Sequence, residues 1–298
     1  MNSHRLIGIS LALISAVFFA LANTLAGIAY QGGSNPFTLS ATRFILPVLL
    51  LFAVLRLGGR SVALDRRSAA VAALLGVLSV TYTFALLKAI ELLPVSIAIL
   101  IFYLFPVLTA FMLAASGAGR LTGRTLTSAG VVFFGLSLAL AVRFGELDTV
   151  GMIAGLISAV GFAVVCFMSN RLVRDCDSRV VTLYLSAAAT VAMLVASCFV
   201  GDVRLPVTTN GWWGFMLSHV LYAAAIIGFY RSIAMVGAGA ATFFVNLEPI
   251  VVVGAGYVLL GQTITTWQIV GVAIVIAALI YAGQPERPAK LAPQSKTI

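Results

Sequence analysis

The chain has 298 residues, of which 61% are hydrophobic and only 9% charged, with a mean hydropathy of +1.12. That balance excludes an ordinary water-soluble domain and describes a chain built mostly of membrane-spanning helices. The net charge of +9 does not indicate nucleic-acid binding. The arginines punctuate short loops between apolar runs instead of forming a basic patch on a folded surface.

About 20 apolar residues cross the hydrocarbon core of a bilayer. That length predicts an all-α integral membrane protein of ten transmembrane helices, at 6–30, 37–55, 69–90, 95–116, 125–142, 150–170, 180–200, 211–235, 238–260 and 265–283. Turn chemistry separates them at Gly32-Gly33-Ser34-Asn35-Pro36 and Gly58-Gly59-Arg60-Ser61. The last stretch, 285–298, is polar and proline-broken and reads as a disordered cytoplasmic tail. Cys166 and Cys198 fall within apolar runs, and the odd count of three cysteines supports neither a disulfide framework nor a zinc site.

Lys and Arg concentrate in cytoplasmic loops. Arg5, Arg56, Arg60, Arg66, Arg67, Arg120, Arg124, Arg171, Arg174, Arg179, Arg287, Lys290 and Lys296 all fall on one side of the predicted spans. Lys88, Arg143 and Arg204 fall on the other, and Arg43 and Arg231 lie within spans. Both termini are therefore expected in the cytoplasm of a bacterial inner membrane. Trp212, Trp213 and Trp267 then open spans at the outer interface, where indoles prefer to sit.

The start of the chain resembles a secretory signal, with Arg5, an apolar run and "ALAN" at 20–23. An internal repeat argues against cleavage there. "LISAVFFA" at 13–20 returns as "LISAVGFA" at 156–163, matching at seven of eight positions with an offset of 143 residues. At the same offset Gly8 meets Gly151, Lys88 meets Arg231 and Pro106 meets Pro249. Residues 1–146 are thus expected to form one five-helix repeat and residues 147–284 a second. Five is odd, so the second repeat enters from the opposite face. Inverted repeats of this kind are characteristic of secondary transporters that expose a midplane site alternately to each side.

The chain resembles the EamA family of the drug/metabolite transporter superfamily in its ten spans, its two repeats, its "LISAV" openings and its fourth-span pattern ending before Pro. "ALLKAIELLPVSIAILIFYLFP" and "FYRSIAMVGAGAATFFVNLEP" carry the likeness most specifically. The second copy has Gly237 where the first has Pro94. The resemblance implies alternating-access transport of small metabolites, often outward, through a cavity formed mainly by spans 1, 3, 4, 6, 8 and 9. "YLFP" at 103–106 resembles the corresponding sequence of bacterial aromatic amino-acid exporters, which ranks amino acids first among substrates. A channel-like pore, or a carrier of nucleosides, sugars or cationic drugs, is the alternative.

Pro106 and Pro249 each remove an amide donor at membrane depth, freeing carbonyls to kink, hydrate or bind a ligand. Ile99, Tyr103 and Pro106 stand at helical spacing, as do their counterparts Thr242, Asn246 and Pro249. One stripe offers a phenol and an apolar wall, the other an amide and a hydroxyl, a combination suited to an amphiphile. Phe19, Tyr82, Phe162 and Tyr222 supply further candidate walls, each equally explicable by helix packing or lipid contact.

Glu248 is an ionisable group at bilayer depth, where function is the default reading. It lies about 200° around an ideal helix from Asn246. Interhelical pairing, proton exchange and contact with a substrate ammonium group all remain open readings of it. Lys88 and Glu91 read as a local i, i+3 pair, Arg231 first as a lipid-phosphate anchor and otherwise as a partner for a substrate carboxylate, and His219, beside Tyr222, first as structural and otherwise as a proton relay.

With only His4 and His219 as histidines, no HExxH motif and no Asp inside a span, neither metal hydrolysis nor aspartyl chemistry is indicated. The expectation is a non-enzyme without cofactor, metal or nucleic acid, working with a small-molecule substrate in a lipid bilayer, with proton coupling through Glu248 as an option.

Overall fold

The computed structural model describes residues 3–93, 95–119, 122–141, 148–200, 202–261 and 263–283. Within them the chain is all-helical, with thirteen helices. Eight stretches are long and apolar enough to cross a membrane, and two shorter apolar helices cover Thr125–Ala139 and Thr266–Tyr281.

Seven of the stretches singled out in the sequence are each one continuous helix: α1 (Ser3–Gln31), α4 (Arg66–Leu92), α7 (Gly123–Ala139), α8 (Thr149–Asp175), α9 (Ser178–Val200), α10 (Thr209–Val236) and α13 (Thr266–Gly283). Three others are broken in mid-course: α2 (Pro36–Thr42) with α3 (Ile45–Leu57), α5 (Val95–Phe102) with α6 (Phe105–Ala115), and α11 (Ala238–Val245) with α12 (Glu248–Leu260). A proline stands just beyond each break, at Pro47, Pro106 and Pro249. Having no N–H, it cannot bond the carbonyl four residues back, at Arg43, Phe102 and Val245 respectively.

The repeat is written into the helix boundaries. At the offset of 143 residues, the starts of α10, α11, α12 and α13 coincide with those of α4, α5, α6 and α7. The capping side chains coincide as well. Asp65 accepts from the Ser68 amide and its counterpart Thr208 from Gly211, while Thr122 accepts from Thr125 and its counterpart Thr265 from Gln268. Each cap satisfies an amide that the first helical turn leaves without a partner.

Packing follows the same exchange. The most extensive helix pair is α1 with α10, and the next is its counterpart, α8 with α4. Likewise α1 packs on α11 and α12 as α8 packs on α5 and α6, and α7 pairs with its own counterpart α13. A Cβ on Gly8 would meet Val236 and Met235, and one on Gly151 would meet Leu93 and Leu92, the counterparts of those two residues. Small residues let helices approach closely where lipid offers no hydrophobic drive for association. The α1–α10 seam is also hydrogen-bonded, with the Ser218 and Ser232 hydroxyls donating to the Ala22 and Gly8 carbonyls at 2.8 and 2.7 Å.

The arginines Arg60 and Arg179 gather with Asp177 at one end of the bundle, at 3.9 and 2.5 Å. The Arg179 guanidinium holds the Asp177 carboxyl below the usual carboxylate range. We call this the basic end. At the opposite end Asn35 donates to the Asp202 carbonyl at 2.8 Å and the Val207 amide to Gly32 at 2.8 Å, tying α2 to the segment before α10. The Lys88–Glu91 pairing expected from sequence lies outside the described residues, because the Glu91 side chain is not among them.

Gly237 explains the departure between the repeats. It joins α10 to α11 at φ +86° and ψ 158°, a conformation essentially reserved for glycine and closed to the proline of the other repeat. Its neighbour Ala238 donates its amide to the Asn170 side chain at 2.8 Å. A Cβ at position 237 would lie 2.8 Å from the Arg174 guanidinium. Gly237→Ala is expected to cost about 1–3 kcal/mol, read as a lower melting temperature in detergent, whereas Gly254→Ala, whose Cβ would meet nothing within 4 Å, should cost far less.

Candidate functional site

A cavity of about 760 Å³ lies between α6, α7 and α11, reaching Arg5 at the start of α1 and Met235 and Val236 at the end of α10. Arg5, exposed at the start of α1, marks its mouth, and Gly119 and Thr122 line it as well. Its inner end is Tyr103, Pro106 and Asn246, the residues of the two equivalent helix breaks. Val107, Leu113, Val132, Phe133, Phe243 and Phe244 make apolar walls, and Thr125 and Ser128 add hydroxyls on α7.

The breaks are tight turns and not gaps. Leu104 donates to Ile101 at 3.1 Å, and Asn246 and Leu247 donate to Phe243 and Phe244 at 3.2 Å, all i→i−3 bonds. This narrows the chain where the prolines withhold donors. Asn246 uses its side-chain NH₂ to cap the Phe243 carbonyl at 2.8 Å. Its Oδ1 is buried and has no protein partner, an unmatched acceptor within a residue that borders the inner end of the cavity. Such a group is costly unless water or a ligand meets it.

Of the residues singled out from sequence, Tyr103, Pro106 and Asn246 border the cavity together. Thr242 is fully buried, and its hydroxyl donates to Ala238 of its own helix at 2.7 Å, the usual refuge of a threonine hydroxyl in an apolar helix. Ile99 packs against the core, and Pro249 is buried at the start of α12. Phe19, Tyr82, Phe162 and Tyr222 join one aromatic chain behind the cavity. Phe162 meets Phe105 at 4.6 Å and Tyr82 at 5.0 Å, and Phe229 links it to Phe19, which meets Tyr222 at 5.5 Å. Edge-to-face and offset contacts of this kind stiffen the middle of the bundle.

Glu248 is half-buried and sits outside the cavity. Its Oε1 accepts the Asn23 amide of α1 at 2.8 Å, and its carboxylate interacts with Tyr103. The 200° separation from Asn246 is resolved by the break, since the two residues fall on different helices. Tyr103 therefore stands between the cavity and a polar cluster. His219 is held by the Phe215 carbonyl at 2.7 Å and by Thr42 at 2.8 Å.

Asn23 and Arg43 were not weighed as site residues from sequence. Arg43 sits at the α2–α3 break with its guanidinium 4.4 Å from the centre of the Tyr222 ring, a cation–π distance. A charge inside a predicted span was the signal available for it. Asn23 carried a fainter one, as a lone amide in an apolar run.

The model of the EamA-like transporter family matches residues 6–141 and again 149–283. The chain belongs to the EamA-like transporter family. This EamA-like protein is thus a multi-pass membrane transporter of small solutes, built from two family units. An uncharacterized transporter of Archaeoglobus fulgidus is 27% identical over 197 residues, covering 66% of this chain and 70% of that protein. A crystallised protein of 20% identity shares the fold, with a TM-score of 0.76 over 95% of this chain and 97% of its own.

Cysteine scanning checks the cavity. In a background lacking Cys166, Cys176 and Cys198, Ala240→Cys, on the cavity wall, is expected to react with a small polar thiol reagent roughly tenfold or more faster than Thr242→Cys, which is fully buried.

Proposed function

We propose that this EamA-like transporter exports amino acids, aromatic or hydrophobic ones foremost, or similar amphiphilic metabolites, by alternating access. In this reading ten spans form two inverted units of five in a bacterial inner membrane, with both termini cytoplasmic. The observation that carries it is the cavity mouth at Arg5 and its inner end at the paired breaks, Tyr103–Pro106 and Asn246. With the positive-inside orientation, that mouth faces the cytoplasm, as an exporter's loading state requires.

The lining supports an amphiphile. Phe133, Phe243 and Phe244 suit a ring or alkyl end, while Tyr103, Asn246, Thr125 and Ser128 supply the few placed polar groups typical of a ligand pocket. A carrier is favoured over a pore because the α1–α10 seam stays closed beyond the cavity. A Cβ on Gly32 would lie 2.4 Å from Gly211, and one on Gly214 would lie 2.8 Å from the Leu25 carbonyl.

Efflux from proteoliposomes loaded with a mixed metabolite pool, followed by mass spectrometry, tests the reading. Aromatic and hydrophobic amino acids are expected to leave saturably, with stimulation by the same solute outside. Tyr103→Ala and Asn246→Ala should each slow that efflux roughly tenfold or more, the scale of losing a ligand-facing polar contact in a closed site. Equal release from protein-bearing and empty vesicles would contradict it, and flux rising linearly without trans-stimulation would indicate a pore.

A further inference from the structure

Arg43 and Glu248 are opposite charges held at membrane depth on separate helices, and neither forms an ion pair among the described residues. They are nevertheless neighbours through a short chain of contacts. The Arg43 guanidinium lies over Tyr222, Tyr222 packs on Phe19 at 5.5 Å, Phe19 is one turn below Asn23 on α1, and Asn23 binds Glu248 at 2.8 Å. The two charges act on each other electrostatically across this gap. The Nε of Arg43 is buried without a hydrogen-bond partner, while the Asn23 side chain is exposed and Arg43 and Glu248 are only half-buried.

Separated, unpaired charges in an apolar surround are expensive. A direct Arg–Glu salt bridge would be the simplest remedy if the cluster were purely structural, yet an amide and a phenol occupy the carboxylate and an aromatic face occupies the guanidinium. A solute carrying both charges on adjacent atoms would satisfy both poles at once. We propose that Arg43 and Glu248 are the two poles of a subsite for a zwitterionic headgroup, Arg43 receiving the carboxylate and Glu248 the ammonium. Arg43 can offer the planar fork that carboxylates match. Asn23 holds Glu248 in place as a positioning residue. Tyr103, which borders the cavity and also touches Glu248, is the partition through which a solute passes from one to the other. This inference rests on the amino-acid reading above and narrows it to the α-amino acid headgroup.

The test is binding of labelled L-phenylalanine to the purified full-length protein, with displacement by phenethylamine, which lacks the carboxylate, and by 3-phenylpropionate, which lacks the ammonium. Each analogue is expected to displace at least about tenfold more weakly than L-phenylalanine, the scale of one charge-assisted hydrogen bond. Arg43→Gln should weaken L-phenylalanine and 3-phenylpropionate about tenfold and leave phenethylamine unchanged. Glu248→Gln should weaken L-phenylalanine and phenethylamine and leave 3-phenylpropionate unchanged. Arg43→Lys and Glu248→Asp keep the charges, and should keep the wild-type order of the three ligands. Equal displacement by all three compounds, or variants that weaken all three alike, would overturn the headgroup assignment while leaving the amphiphile reading standing. Absence of any L-phenylalanine binding to the wild-type protein would overturn both.

Discussion

Every backbone N–H and C=O in hydrocarbon must find a partner within the protein, and the architecture follows from that constraint. Continuous helices meet it unaided. The broken spans keep bonding close to their breaks: i→i−3 turns bond the Ile101, Phe243 and Phe244 carbonyls, and the Asn246 side chain bonds Phe243 as well, beside the Phe102 and Val245 carbonyls that Pro106 and Pro249 leave. Two of these breaks are repeat equivalents and meet at the inner end of the cavity.

The helices themselves are held by close approach. Gly32 and Gly214 bring backbones into contact along the α1–α10 seam, where Gly8 and Gly228 receive side chains, and Gly151 receives side chains across the equivalent α8–α4 seam. The seams differ in chemistry: serines hydrogen-bond across the first, while Gly151 and Gly161 receive Leu93 and Tyr82 across the second.

Much of this was legible in sequence because hydrophobic length, glycine and proline act locally. The span expected at 211–235 is Thr209–Val236, and that at 6–30 is Ser3–Gln31. The break within the span expected at 37–55 was not anticipated, although Pro47 withholds its donor from Arg43 just as Pro106 does from Phe102. The site was less legible. Reading Ile99–Tyr103–Pro106 and Thr242–Asn246–Pro249 as stripes assumed unbroken helices, whereas the breaks turn Asn246 to the cavity and leave Glu248 beside Asn23. The contact between Asn23 and Glu248 spans 225 positions, and no periodicity records it. Arg43 announced itself only as a charge among apolar residues, and its aromatic partner lies on another helix.

The central claim is that the two family units traverse the membrane in opposite senses around one shared cavity. Ser61 and Arg204 test it most directly. They are repeat equivalents in the exposed segments before α4 and α10, so inversion puts them on opposite sides. With single cysteines at each position, in a background without native cysteines, an impermeant maleimide applied to intact cells should label position 204 and reach position 61 only after permeabilisation. Labelling of both positions from the same side would contradict the account.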